Sequence, residues 1–125
     1  LPMDQAFFRA ILCNWLFVLA VWMSMAATDI IGKIFAIFFP IMAFVASGFE
    51  HSIANMYFMA IGIFVKGNEA VVTAAELAPY KLAAVNWAGY MHNLVPVTLG
   101  NMVGGILFVA VFYYLVFKQN LEKMD

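Results

Sequence analysis

The chain has 125 residues, of which 66% are apolar and 10% charged, and its formal net charge is −1. A soluble domain carries roughly 25% charge, so this composition excludes an ordinary soluble domain and a disordered tail, and the weak net charge excludes a partner recruited by charge, nucleic acid above all. The lone cysteine, Cys13, excludes an intramolecular disulfide and a cysteine metal cage, which leaves an all-α integral membrane protein, one membrane domain over residues 1–125.

The charges delimit three expected spans. Arg9 and Asp29 bracket nineteen uncharged residues, 10–28, enough at ~1.5 Å each to cross a ~30 Å hydrocarbon core. Lys33 and Lys66 bracket the second stretch, 34–65. It is long for one span and is broken at 47–52 by Ser47-Gly48-Phe49-Glu50-His51-Ser52. Pro40 adds a local bend, because it supplies no amide hydrogen to the helix ladder. After a loop at 67–81 and a short segment at 82–92, the third span is expected over 93–117. It opens with a turn at Asn93-Leu94-Val95-Pro96, and its helix starts at about Val97. Residues 118–125 read as a short polar tail. Three spans put the termini on opposite sides. Arg9, Lys66 and Lys81 on one side balance Lys33, Lys118 and Lys123 on the other, so the positive-inside rule assigns no orientation.

The break carries the chemistry. Ionisable groups at mid-membrane depth are costly, and Glu50 and His51 are adjacent. Non-helical backbone at this depth is tolerated only when it is buried in protein or lines a cavity. In transporters, broken helices point their ends at the ligand. The positive end of the second half, near Ser52 to Asn55, favours an anion. His51, with an ordinary pKa of ~6.5, suits a small weak acid: it hydrogen-bonds the anion or exchanges a proton with it near neutrality. The plainer reading is a buried structural Glu50–His51 pair. Glu50 diverges from His51 by ~100° on a helix and is expected to tie down the loop backbone, with Gly48, Ser52 and Asn55 as supports.

Asn14 and Asn101 sit mid-span, either as interhelical glue or as pore lining. Phe44, one turn before the break, is either packing or an apolar gate. Gly100 and Gly104, four apart, let another helix approach closely. His92 lies near a boundary and reads as solvated. No Ser-His-Asp set, phosphate loop or metal-ligand spacing is present in the sequence, so no enzymatic chemistry, metal or cofactor is expected.

Three blocks resemble the formate/nitrite transporter family, in family order. They are Ile11-Leu12-Cys13-Asn14-Trp15-Leu16 with Leu19-Ala20-Val21-Trp22-Met23-Ser24, then Phe39-Pro40-Ile41-Met42-Ala43-Phe44-Val45-Ala46-Ser47-Gly48-Phe49-Glu50-His51-Ser52-Ile53-Ala54-Asn55-Met56, and Asn93-Leu94-Val95-Pro96-Val97-Thr98-Leu99-Gly100-Asn101-Met102-Val103-Gly104-Gly105. The resemblance implies a six-span channel of two inverted three-span halves, assembled as a homopentamer in the bilayer of a bacterial inner membrane. This chain resembles the second half, with Leu1 falling in the connection between halves, so that the first half of the same protein is a required partner. His51 then matches the central pore histidine, Phe44 an apolar constriction, and Asn14 and Asn101 the vestibule asparagines. Phe17 falls where the formate branch has a smaller constriction residue. Family topology places the Asp29–Lys33 turn and the C-terminus in the cytoplasm. The implied substrate is a small anion or its acid (formate, nitrite or hydrosulfide), with a lean to hydrosulfide that no single residue carries. A different class also fits three spans: a haem- or quinone-binding anchor of a respiratory complex, with His51 and His92 as axial ligands.

Overall fold

The structure, a computed structural model, describes residues 1–121. Its regular elements are α1 (Met3–Ala26), α2 (Ile30–Ala46), α3 (Ser52–Val65), α4 (Glu69–Ala74), α5 (Pro79–Ala84), α6 (Trp87–Gly105), a π-helical segment (Ile106–Val111) and α7 (Phe112–Leu121). Two helical stretches among the described residues are long and apolar enough to cross a membrane: Met3–Ala26, with 24 residues, and Trp87–Lys118, with 32. At ~1.5 Å per residue both exceed a ~30 Å core. The apolar helices α2 and α3 are shorter, 17 and 14 residues.

Charges mark where a helix leaves the apolar layer, not where it ends. Arg9 therefore sits inside α1, and Lys33 inside α2, which starts at Ile30 under an Asp29 cap (Asp29 Oδ1 accepts from Gly32 N at 2.8 Å). Pro40 lies within α2, which runs on through it. The break is one residue shorter than expected, because Ser52 is already helical.

Two further expectations are corrected. No turn forms at Asn93-Leu94-Val95-Pro96; α6 passes through it. Pro96 forfeits one ladder hydrogen bond, but Leu94, Pro96 and Val97 are buried, and packing outweighs that loss. The chain instead turns at Val85 and Asn86, where Asn86 Oδ1 caps α6 by accepting from Gly89 N at 2.9 Å. The 67–81 stretch is not a plain loop either. Asn68 caps α4, Pro79 starts α5, and Lys66 Nζ donates to Val85 O at 2.7 Å, closing the excursion. Of the expected polar tail, 118–121 continues α7, and residues 122–125 lie outside the described residues.

The helices pack chiefly through α1 and α6. Ala6, Ala10 and Val97 form a buried cluster between them. Gly100 faces the Phe7 carbonyl and the Ala10 methyl, Gly104 faces the Ile11 carbonyl, and Gly105 leaves room for the Asn14 amide; a Cβ at any of the three has no space. Small residues that let backbones touch are the means by which helices associate in lipid, where burying apolar surface gains nothing. The outer surface is correspondingly apolar: Ile30, Phe58 and Phe64 are 77, 68 and 76% exposed.

Candidate functional site

The site is the break between α2 and α3. α2 ends in a Schellman motif: Phe49 N donates to Phe44 O and Gly48 N to Val45 O, with Gly48 at φ +65°. That left-handed conformation is why a glycine stands here. Nothing else crowds the position.

α3 starts differently, on side chains. His51 is its N-cap, in extended conformation, and its Nδ1 accepts from Ala54 N at 3.4 Å. The imidazole lies between two rings. Phe44, from α2, stacks on it at 5.9 Å and 20°, and Phe17, from α1, meets it edge-on at 5.3 Å and 69°. With Nδ1 engaged in the cap, Nε2 is the nitrogen left for another partner.

Asn101, on α6, brackets the break. Its Oδ1 accepts from Ser52 N at 2.9 Å, and its Nδ2 donates to Ala10 O at 2.8 Å and Glu50 O at 3.0 Å. One amide therefore joins α1, the loop and α3. Asn14 Nδ2 donates to the Asn101 backbone carbonyl at 2.6 Å. Glu50 does not tie the loop backbone with its carboxylate, as the sequence suggested. Its Oε2 accepts from Asn55 Nδ2 at 2.6 Å and Asn93 Nδ2 at 3.2 Å, while Asn55 Nδ2 also donates to Asn93 Oδ1 at 2.8 Å. The loop backbone is held instead by Asn101, on the Glu50 carbonyl.

A cavity of about 380 Å³ opens beside this bracket, and Asn14, Phe17, His51, Ser52 and Asn101 all line it. Phe44 is buried and reaches the site through its stack on His51. Gly48, Glu50 and Asn55 do not line the cavity, and Gly100 and Gly104 lie in the α1–α6 contact.

Sequence reasoning missed three residues. Asn93 was placed in a turn, yet it carries half of the Glu50 network. Thr98 lines the cavity; its signal was its place three residues before Asn101, on the same face of an apolar helix. Arg9, read as a boundary charge, reaches into the break, where Nη1 donates to Gly48 O at 3.5 Å. The two histidines do not share a site. His92 is exposed and lines a separate cavity with Lys81 and Asn86, which removes the geometric basis for an axial pair on one haem.

Relatives agree with this reading of the blocks. The formate/nitrite transporter family model matches residues 1–115. The "Probable formate transporter" of Methanothermobacter thermautotrophicus is 51% identical over 117 residues, covering 93% of this chain and 36% of that protein. The "Nitrite transporter NirC" of Escherichia coli (strain K12) is 42% identical over 125 residues, covering 99% of this chain and 41% of that protein. A solved "Pentameric formate channel with formate bound" superposes with a TM-score of 0.81 at 38% identity, covering 94% of this chain and 47% of that one. The chain thus spans less than half the length of these proteins. A family model that matches almost end to end, and a channel fold shared at 38% identity, make this chain a member of the formate/nitrite transporter family.

Proposed function

We propose that this chain forms half of a channel for small monovalent anions or their weak acids. It supplies three spans: α1, the broken pair α2 and α3, and the Trp87–Lys118 helix. The rest of the same protein supplies the inverted counterpart, and complete protomers assemble as a homopentamer in the inner (plasma) membrane of a prokaryotic cell, with the Asp29–Lys33 turn and the C-terminus in the cytoplasm. Support comes from the coverage of 47% of a pentameric formate channel's chain and from the outward apolar surface.

One observation carries the reading. An imidazole is held between two phenyl rings at the end of a broken helix, beside a cavity lined by amides. An anion entering between Phe17 and Phe44 loses solvation, and bare charge in an apolar constriction is costly. A hydrogen bond from His51 Nε2, or a proton shared with it, lowers that cost. The anion binds as a charged species, takes the Nε2 proton of a His51 imidazolium partly or fully as it passes the rings, and returns it to the then neutral imidazole as it leaves. Asn14 and Asn101 line the approach. Gly48, Glu50, Ser52 and Asn55 keep the imidazole in place. The named relatives favour formate or nitrite, and hydrosulfide is kept as the third anion to try.

The test is uptake of formate, nitrite and hydrosulfide into proteoliposomes holding the complete protein, at pH 5.5 to 7.5, beside H51F. Fast flux of one anion that changes with pH, and loses that dependence in H51F, is expected. Wild-type flux and selectivity in H51F would remove His51 from the mechanism. Correctly inserted protein that passes none of the three would end the channel reading.

A further inference from the structure

Arg9 lies two turns inside the apolar helix α1. A guanidinium within such a helix is costly and marks a functional contact by default. Its Nη1 donates to Gly48 O at 3.5 Å, across 39 residues. That carbonyl has a particular need. The Schellman motif satisfies Ala43, Phe44 and Val45 carbonyls from the amides of Ser47, Phe49 and Gly48. The Gly48 carbonyl itself lies beyond the last turn, where no backbone amide among the described residues reaches it.

The end of α2 also carries the partial negative charge of its dipole, and its last turn contains no basic residue. The facing end of α3 carries partial positive charge, with no acidic residue in its first turn. The break thus presents opposite signs side by side. An anion at His51 is drawn to α3 and repelled by α2. A fixed cation on the α2 end reverses that repulsion. The other supports, Asn101 on the Glu50 carbonyl and Asn55 with Asn93 on the Glu50 carboxylate, all act on the α3 side of the loop.

We infer that Arg9 is the positioning residue for the α2 side: it holds the Gly48 carbonyl and offsets the negative helix end that faces His51. The inference rests on the channel reading above.

Two measurements on the complete protein test it, with R9Q, R9K and R9A beside wild type, each first checked for unchanged assembly by size-exclusion chromatography. The first is anion uptake against concentration. R9Q is expected to weaken apparent affinity about two- to fivefold, the size of one cation at an exposed helix end. R9K is expected to keep apparent affinity, since its charge remains, and to lower maximal rate, since its fork is lost. Added methylguanidinium is expected to restore part of the R9A flux, which a role in packing alone would not allow. Wild-type affinity in R9Q, or equal losses in R9K and R9Q with no rescue of R9A, would overturn the inference. The second measurement is amide exchange at Gly48 and Phe49, the two amides that close α2, which is expected to quicken in R9Q, and unchanged exchange counts against the inference. If wild type passes no anion, the channel reading fails, while the exchange data still decide whether Arg9 holds the break.

Discussion

The two helix ends that meet at the break are built from different materials. α2 is finished by backbone: one glycine at φ +65° and two amides turned back on their own carbonyls. α3 is started by side chains: His51 as its cap and Asn101 from another helix on the Ser52 amide. A backbone end has no titratable part of its own, and beyond its glycine it takes one side chain, Arg9 on the Gly48 carbonyl. A side-chain end can be tuned by protonation, by substitution and by movement of the helix that supplies it. The adjustable half of the break is therefore the half that holds the imidazole.

The comparison breaks most visibly at Asn101. N101A leaves the Ser52 amide and the Glu50 carbonyl without partners, and an unsatisfied buried group costs ~1–3 kcal/mol. The expected loss is about 2–4 kcal/mol, read as a lower thermal unfolding midpoint in detergent. N101D is expected to be worse than N101A. Its carboxylate still accepts from Ser52 but turns negative oxygen toward the Ala10 and Glu50 carbonyls, where Asn101 donates. N101D as stable as wild type would mean that the amide is not the bracket.

On the α2 side the expected effect is smaller. A Cβ at Gly48 meets no atom within 4 Å, so G48A carries only the cost of a left-handed alanine, about 1–2 kcal/mol. G48N should cost less, because asparagine tolerates that conformation. Neither is expected to change the pH dependence of flux, because neither touches the imidazole. A changed pH profile in G48A would show that the two ends are not independent.

The break was legible in the sequence because its signals are local: a glycine after an apolar run, and two ionisable residues where lipid tolerates none. The close approach at Gly100 and Gly104 was legible for the same reason, a spacing of four on one helix. What stayed hidden depends on partners far apart in the chain. The Asn101 bracket spans 49 to 91 residues, and no periodicity connects Ser52 or Ala10 to it. Pro96 misled in the other direction. Its local signal favours a turn, but Leu94, Pro96 and Val97 are buried in α6, and tertiary packing overrode the dipeptide. Arg9 misled because a charge at the edge of an apolar run reads as a boundary, when the helix begins six residues earlier at Met3.

The finest test separates the two nitrogens of His51. Nδ1 caps α3, and the proposed contact with the anion falls to Nε2. Asparagine places its carbonyl oxygen about where Nδ1 sits and ranks among the best N-caps. Glutamine reaches about where Nε2 sits and caps poorly. H51N should therefore keep stability within about 0.5 kcal/mol of wild type while losing most of the flux. H51Q should lose about 1 kcal/mol of stability, yet retain part of the flux with its pH dependence gone, because an amide does not titrate. The contrast also fixes what a proton does. An imidazolium donates from both nitrogens, so a proton arriving at Nδ1 removes the acceptor for Ala54 N, and the start of α3 loosens as the site charges. The protection of the Ala54 amide, its exchange rate taken relative to the intrinsic rate at the same pH, should then fall in wild type on acidification, while in H51N it stays level. If H51N and H51Q prove equally stable and equally impaired, His51 has one task and not two, and the side-chain end of the break is as inert as the backbone end it faces.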